Sequence, residues 1–256
     1  YISNKSPVSG GEVTKQEVEK INNTISKFLQ YCKNEKYEEA YNMISLDCKE
    51  KKYPTLENFI QKFIKTKFNK NNVYEIEEWM GNTYRVSISE DMLITGKVGS
   101  NKKTIEYITI VKENSQDKLN IGDYIGENVL NKEKTQYDVK IIAENRQTYM
   151  DYEIYNIKIE NLSNKTIKLD AFEKTGTIYL VDSNGNRSPA YNNEILEDDL
   201  IILPKRIFEL PIKFSNEYSS TRNIRQIVFS NLVLDYDEYE KDSTKVELSE
   251  FVINLY

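Results

Sequence analysis

Histidine does not occur in this 256-residue chain, and that absence removes much of the chemistry its side chains might otherwise do. Without an imidazole there is no Ser–His–Asp triad and no residue of the type most often used as a general base near neutral pH. Cysteine occurs twice, as Cys32 and Cys48, and not at the spacing of zinc ligands. Phosphate-cradling glycine loops, dinucleotide fingerprints and nucleophile elbows are also missing. The 41 Asp and Glu allow many carboxylate pairs of the glycosidase kind, but no spacing selects one.

Three acidic runs have the composition of a hard-cation site. Asp182, Asn184 and Asn186 stand at alternate positions, as calcium ligands do. The glycine falls at the fourth position instead of the sixth, and no Glu follows at the twelfth, so a hairpin turn explains the run better. Glu197-Asp198-Asp199 is the second run, and Asp235, Asp237, Glu238 and Glu240 make the third. These would hold a cation only if the fold brought them together, and separate solvated loops are the expectation; no metal or cofactor is called for. Nineteen tyrosines against one tryptophan suggest either half-buried strands or a contact surface, densest at Tyr149, Tyr152, Tyr155, Tyr236 and Tyr239. Tyr236, Asp237, Glu238 and Tyr239 combine aromatic anchors with charge in an expected loop between strands. That is the composition of a partner-binding site.

The elements that carry these residues change near residue 131, where the hydrophobic period switches. Before it, Val18, Ile21, Ile25, Phe28, Leu29 and Cys32 mark one helix face over 14–33, opened by a Thr14–Glu17 capping box. Tyr37, Ala40, Tyr41 and Ile44 continue on a second helix over 37–47. A third begins at Pro54-Thr55 with Leu56, Phe59, Ile60, Phe63 and Ile64 inward. A continuous second helix would set Cys48 roughly 15 Å from Cys32, too far for a disulfide. Beyond Asn72 the period falls to two: Tyr74, Ile76 and Glu78; Tyr84, Val86 and Ile88; Ile105, Tyr107, Thr109 and Val111; then Leu119, Ile121 and Tyr124. Turns are expected at Gly96, Gly99 and Gly126. Helices followed by antiparallel strands describe an α+β domain.

The segment KYEEAYNMISLDCKEKKYPTLENFIQKF, several strands and then KLNIGDYIG resemble the NTF2-like (cystatin-like cone) superfamily over residues 14–130. The resemblance implies helices on one face of a curved sheet, and a cone that Tyr84, Tyr107 and Asp123 would line. Enzymes of that superfamily commonly use an Asp–His pair or an Asp/Tyr set there, whereas many members are non-catalytic assembly domains. Packing and turn roles for these three residues are the expectation here.

After Gln136 the runs are short and alternating: Val139, Ile141 and Ala143; Tyr155, Ile157 and Ile159; Ile178 and Leu180 before an Asn-Gly turn; Phe208, Leu210, Ile212 and Phe214; Ile227 and Phe229; Val246 and Leu248; Phe251, Ile253 and Leu255. Lys213 is expected to be exposed, and Pro211 must point its missing donor outward or lie at a sheet edge. Seven or more such strands describe an antiparallel sandwich. YNIKIENLSNKTIKL, IYLVDSNGNR and LPKRIFELPIKF resemble the Ig-like (telokin-like) domains of bacterial surface proteins and lipoproteins, which the likeness implies bind or space. The boundaries are thus a flexible tether over 1–12, an NTF2-like α+β domain over 13–131 and an Ig-like β-sandwich over 132–256. The polar run Asn131–Thr135 is taken as the linker.

Charge and tether set the expected compartment. Residues 1–131 carry 19 Lys and Arg against 19 Asp and Glu, and residues 132–256 carry 16 against 22, so the whole formal charge of −6 lies in the second part. An acidic domain argues against nucleic acid as partner. Lys49, Lys51, Lys52, Lys62, Lys65, Lys67 and Lys70 form a basic stretch that suits either a solvated face or anionic lipid headgroups. The chain begins at Tyr1 without an initiator Met. Its first residues are rich in Ser, Gly, Asn and Pro, so a removed signal peptide or membrane anchor is expected, the alternative being a cytoplasmic protein with a trimmed disordered tail. Together these point to a non-enzymatic, extracytoplasmic, membrane-anchored bacterial protein. It would bind a protein or another cell-envelope component, or support a secretion- or conjugation-type assembly, and no small-molecule substrate is identified. The alternative is a small-ligand receptor or enzyme using the cone.

Overall fold

The computed structural model describes residues 15–91 and 103–256. Residues 1–12, the Thr14–Glu17 capping pair, the side chain of Val18, and Gly96 and Gly99 lie outside the described residues. The chain divides into two compact units. One reaches to Gly126 and takes in Ser219–Thr221; the other comprises Glu127–Tyr218 and Arg222–Tyr256.

In the first unit, α1 (Lys15–Lys33) buries Ile25, Phe28, Leu29 and Cys32, one helical face at three- and four-residue spacing. The expected second helix is two: α2 (Tyr37–Asn42) and α3 (Leu46–Lys52). The break has a local cause. Ser45 caps α3, its Oγ accepting from Cys48 N at 3.0 Å, while the backbone around it pairs with Leu119 (Ser45 N to Leu119 O 3.0 Å, Leu119 N to Met43 O 2.9 Å). Both cysteines remain buried and unbridged. Thr55 caps the third helical stretch in the same way, through Asn58 N at 3.1 Å. That stretch runs as α4 (Leu56–Phe59), a π-helical turn (Ile60–Ile64) and α5 (Lys65–Lys67). Phe59 and Phe63 stack at 5.5 Å and meet Phe28 and Tyr53, an aromatic cluster worth about 0.5–1.5 kcal/mol per pair beyond area burial.

The helices accompany an antiparallel sheet of β1 (Asn72–Met80), β2 (Thr83–Glu90), β3 (Thr104–Glu113) and β4 (Gln116–Asn120), in that order. Tyr84 pairs with Ile108, Val86 with Glu106, and Ile110 with Leu119, and all six are buried. The alternating row Ile105, Tyr107, Thr109 and Val111 therefore lies on the other face of β3. Period two shows which residues share a face, not which face is the core.

The second unit pairs two antiparallel sheets. One has the order β12-β7-β6-β5, from β5 (Tyr124–Gln136), β6 (Val139–Tyr149), β7 (Tyr152–Asn161) and β12 (Ile207–Ser215). The other has the order β10-β9-β13-β14, from β9 (Ile178–Asp182), β10 (Arg187–Pro189), β13 (Ile224–Leu232) and β14 (Ser249–Asn254). A short pair, β8 (Ile167–Lys168) with β11 (Ile201–Ile202), completes it. Ile141, Tyr155, Ile157, Leu180, Ile212, Phe214, Ile227, Phe229 and Phe251 fill one core from both sheets.

Four expectations change here. Asn131–Thr135 is not a linker but part of β5, and Gly126 lies in that strand, not in a turn. The run is polar because it is mostly exposed on an edge strand, and Tyr137 and Asp138, both at positive φ, turn it tightly into β6. Val246 and Leu248 lie in no strand. Lys213 is only partly exposed, its Nζ 4.1 Å from the Tyr152 ring centroid, 5.0 Å from that of Tyr191 and 3.1 Å from Glu194. Pro211 does sit on an edge strand, between the buried Leu210 and Ile212. Among the described residues no helix is long and apolar enough to cross a membrane.

Candidate functional site: a tyrosine- and carboxylate-lined groove

Tyr236, Asp237, Glu238 and Tyr239 were expected in a loop and instead form most of a short helix, α6 (Tyr236–Lys241). Asp235 makes the helix possible: its side chain accepts from Glu238 N at 3.2 Å and is held by Lys165 Nζ at 2.6 Å. One helical turn then sets Tyr236, Tyr239 and Glu240 on one side, the two tyrosines half-buried and Glu240 exposed, as are Asp237 and Glu238.

The facing wall is the extended segment that begins at Lys168, the last residue of β8. Lys168 bonds through its backbone to Val233 in both directions, Leu169 N reaches Leu200 O at 2.8 Å, and Ala171 N reaches Asn231 O at 2.9 Å. Ile167 and Leu169 enter the core, so alternation turns Lys168 and Asp170 to the other side of the segment. The Lys168 side chain is 3% exposed, and its ammonium pairs with Glu197, lies 3.5 Å from Ala171 O and stands 5.3 Å from the Tyr236 ring centroid. Between the walls is an open groove of about 590 Å³ whose lining includes Lys168, Glu173, Glu197, Tyr236, Tyr239 and Glu240.

The tyrosine protons are committed. Tyr236 donates to Glu240 at 2.9 Å and Tyr239 donates to Glu173. Burial, reinforced by these carboxylates, pushes both hydroxyls up to about 12, so both stay neutral near pH 7. A neutral phenol already donating to a carboxylate is a poor nucleophile or acid, but it offers a polarised aromatic surface. Asp170, next along the segment but not part of the groove's lining, is fully buried. Its Oδ2 accepts from Phe172 N at 3.2 Å and Thr177 Oγ1 at 2.9 Å, whereas Oδ1 has no partner. Burial pushes the Asp170 carboxyl above its usual range. The second and third acidic runs thus do meet, through Glu197 and Glu240. Among the described residues, however, no three Asp, Glu, Cys or His side chains are arranged to hold a metal. Asp182 is turned onto its own loop, accepting from Asn184 N at 2.8 Å and from Asn186 N and Nδ2 at 2.9 Å each, which is a hairpin brace.

Tyr84, Tyr107 and Asp123 are not brought together. Tyr84 is on the core face, its hydroxyl pushed up to about 12 by burial and then by Glu78. Tyr107 is on the opposite face, its ring 5.5 Å from Trp79, and Asp123 sits exposed in a turn at φ 66°. On the core face the structure places Glu106 instead, fully buried, accepting from Gly122 N at 2.7 Å and paired with the Lys67 ammonium. Its one mark in the sequence is a lone Glu alternating with Ile108 and Ile110. The basic stretch is largely partnered, Lys51 with Asp47, Lys70 with Glu35 at 3.7 Å and Lys49 over the Tyr41 ring at 4.4 Å, while Lys62 and Lys65 are exposed. No protein-family model, curated protein or solved structure matches this chain.

Proposed function

We propose that this is a non-catalytic, extracytoplasmic bacterial protein that binds a protein partner of the cell envelope through the groove between α6 and the Lys168–Glu173 segment. In this reading the first unit is an NTF2-like domain and the second an Ig-like one. The helices and antiparallel meander of the former and the two-sheet core of the latter support it. The Ser-, Gly- and Pro-bearing first twelve residues support a membrane tether, through which the second unit would be presented. The observation that carries the proposal is the pair Tyr236 and Tyr239, half-buried on one side of α6, with hydroxyls tied to Glu240 and Glu173 and a groove in front of them. Such ordered aromatic side chains lose little entropy on binding and are the usual anchors of interfaces. The small-ligand alternative in the first unit has the weaker support, since its expected lining residues point to different faces.

The test is a photo-crosslinking side chain placed at exposed Asp237, with exposed Glu209 on β12 as control, in the full chain in cells. A discrete covalent adduct at 237 and none at 209 is the expected result. Adducts equally strong at both positions, or none at 237, would count against the groove. Saturation of the first unit by a small molecule would favour the receptor alternative.

A further inference from the structure

We infer that the groove is built for a cationic side chain, so that the partner presents a lysine- or arginine-bearing segment. The inference rests on the reading that the groove is the partner-binding surface and assigns the chemistry of what enters it.

Four carboxylates line the groove, Glu173, Glu197, Glu240 and Asp242, against the ammonium groups of Lys168 and Lys241. Lys168 is taken up by Glu197, and Lys241 by Glu238 at 2.7 Å, so neither neutralises Glu173 or Glu240. Those two accept tyrosine protons, which polarises them without cancelling their charge and leaves lone pairs for a further donor. The second observation is independent of the surface acids. Asp170 is fully buried on the Lys168 side of its segment, and its Oδ1 finds no donor. A buried carboxylate oxygen without a donor is costly. Asp170 does not line the groove, but it acts electrostatically on Lys168, Glu173 and Tyr239, which do, and adds to the negative potential there. A third observation is that the site already seats one ammonium, that of Lys168, over the Tyr236 ring. An aromatic face with carboxylates at its rim is an arrangement that holds an ammonium, and Lys168 shows that it does so here. The surplus of acids over bases in this part of the chain steers the same class of partner from a distance.

The experiment measures fluorescence anisotropy of labelled hexalysine and hexaglutamate with the full chain. It compares wild type, Glu173→Gln/Glu240→Gln, and a control Glu209→Gln/Glu217→Gln that removes the same charge from exposed positions elsewhere in the unit. Glutamine still accepts the tyrosine protons, so the groove variant keeps its hydrogen bonds and loses only charge; circular dichroism confirms that both variants stay folded. Hexalysine is expected to bind saturably and hexaglutamate not to bind. The groove pair should weaken hexalysine about tenfold and the control pair at most about twofold. The inference is overturned if hexalysine fails to bind, if hexaglutamate binds as well, or if both variants weaken binding equally. A discrete adduct at position 237 alongside a failure of hexalysine would leave the binding surface in place and remove only its cationic ligand.

Discussion

Replacing Glu106 with alanine should unfold the first unit at markedly lower denaturant while leaving the second unit nearly untouched. Glu106 is fully buried in β3, pairs with Lys67, whose side chain is 21% exposed, and accepts from Gly122 N. Its loss leaves an ammonium whose pKa burial already lowers without its counter-ion, and an amide without an acceptor. Breaking a buried pair from one side costs about 3–5 kcal/mol. Because Lys67 can turn partly to water, the low end applies, about 3 kcal/mol. At a urea dependence of about 1–2 kcal/mol per molar, the midpoint should fall by about 1.5–3 M. The assay is built into the chain: Trp79 is the single tryptophan and belongs to the first unit, so its emission follows that unit. Glu106→Gln, which keeps an acceptor for Gly122, should cost less. The double change Glu106→Leu with Lys67→Met should recover most of the loss, since an apolar pair avoids the desolvation cost of both charges. A surface control, Glu77→Ala on β1, should stay within about 0.5 kcal/mol. Equal, small shifts for Glu106→Ala and Glu77→Ala would mean that β3 presents the wrong face to the core.

Gly122 lies at φ +65°, and a Cβ there would stand 2.2 Å from Tyr53 Oη, so Gly122→Ala should lower the Trp79-monitored midpoint. Tyr53→Phe, which removes the atom struck, should recover part of the loss in a double-mutant cycle. Leu210→Ala should cost about 2–5 kcal/mol in the β-type transition of the second unit, against about 0.5 kcal/mol or less for the adjacent exposed Glu209→Ala; equal effects would displace the β12 register. Asp182 is held below its ordinary value of 3.8, first by Asn186, so its contribution is complete above that value and is lost as pH falls through the lowered one. Asp182→Asn should therefore flatten the acid limb of stability below about pH 4 and lower stability at pH 7, as read by circular dichroism.

What the sequence determined by itself is what depends on near neighbours along the chain. The Ile25, Phe28, Leu29, Cys32 spacing names the buried face of α1, and the Leu210, Ile212, Phe214 alternation names that of β12, because each periodicity repeats within a few residues. The fall from helix period to strand period beyond Asn72 likewise marks where the helices give way to antiparallel strands. Tertiary structure decided whatever depended on a distant partner. The second helix breaks because residues 43–45 pair with Leu119, some 75 positions away in the chain. Residues 131–135, polar enough to read as a linker, become strand because an edge strand exposes most of its side chains yet still bonds through its backbone. The same local pattern placed Tyr107 and Glu106 equally well, and only packing against the helical side chose Glu106. The groove shows this most clearly. Tyr236 and Tyr239 were legible as a candidate from composition, and Glu197 as part of a separate acidic run, but Lys168 and Glu173 were not. Nothing joined these residues, because they come from segments that meet only in the folded chain. Charge and hydrogen-bond complementarity between such segments has no period, and so leaves no mark in the sequence until the chain is folded.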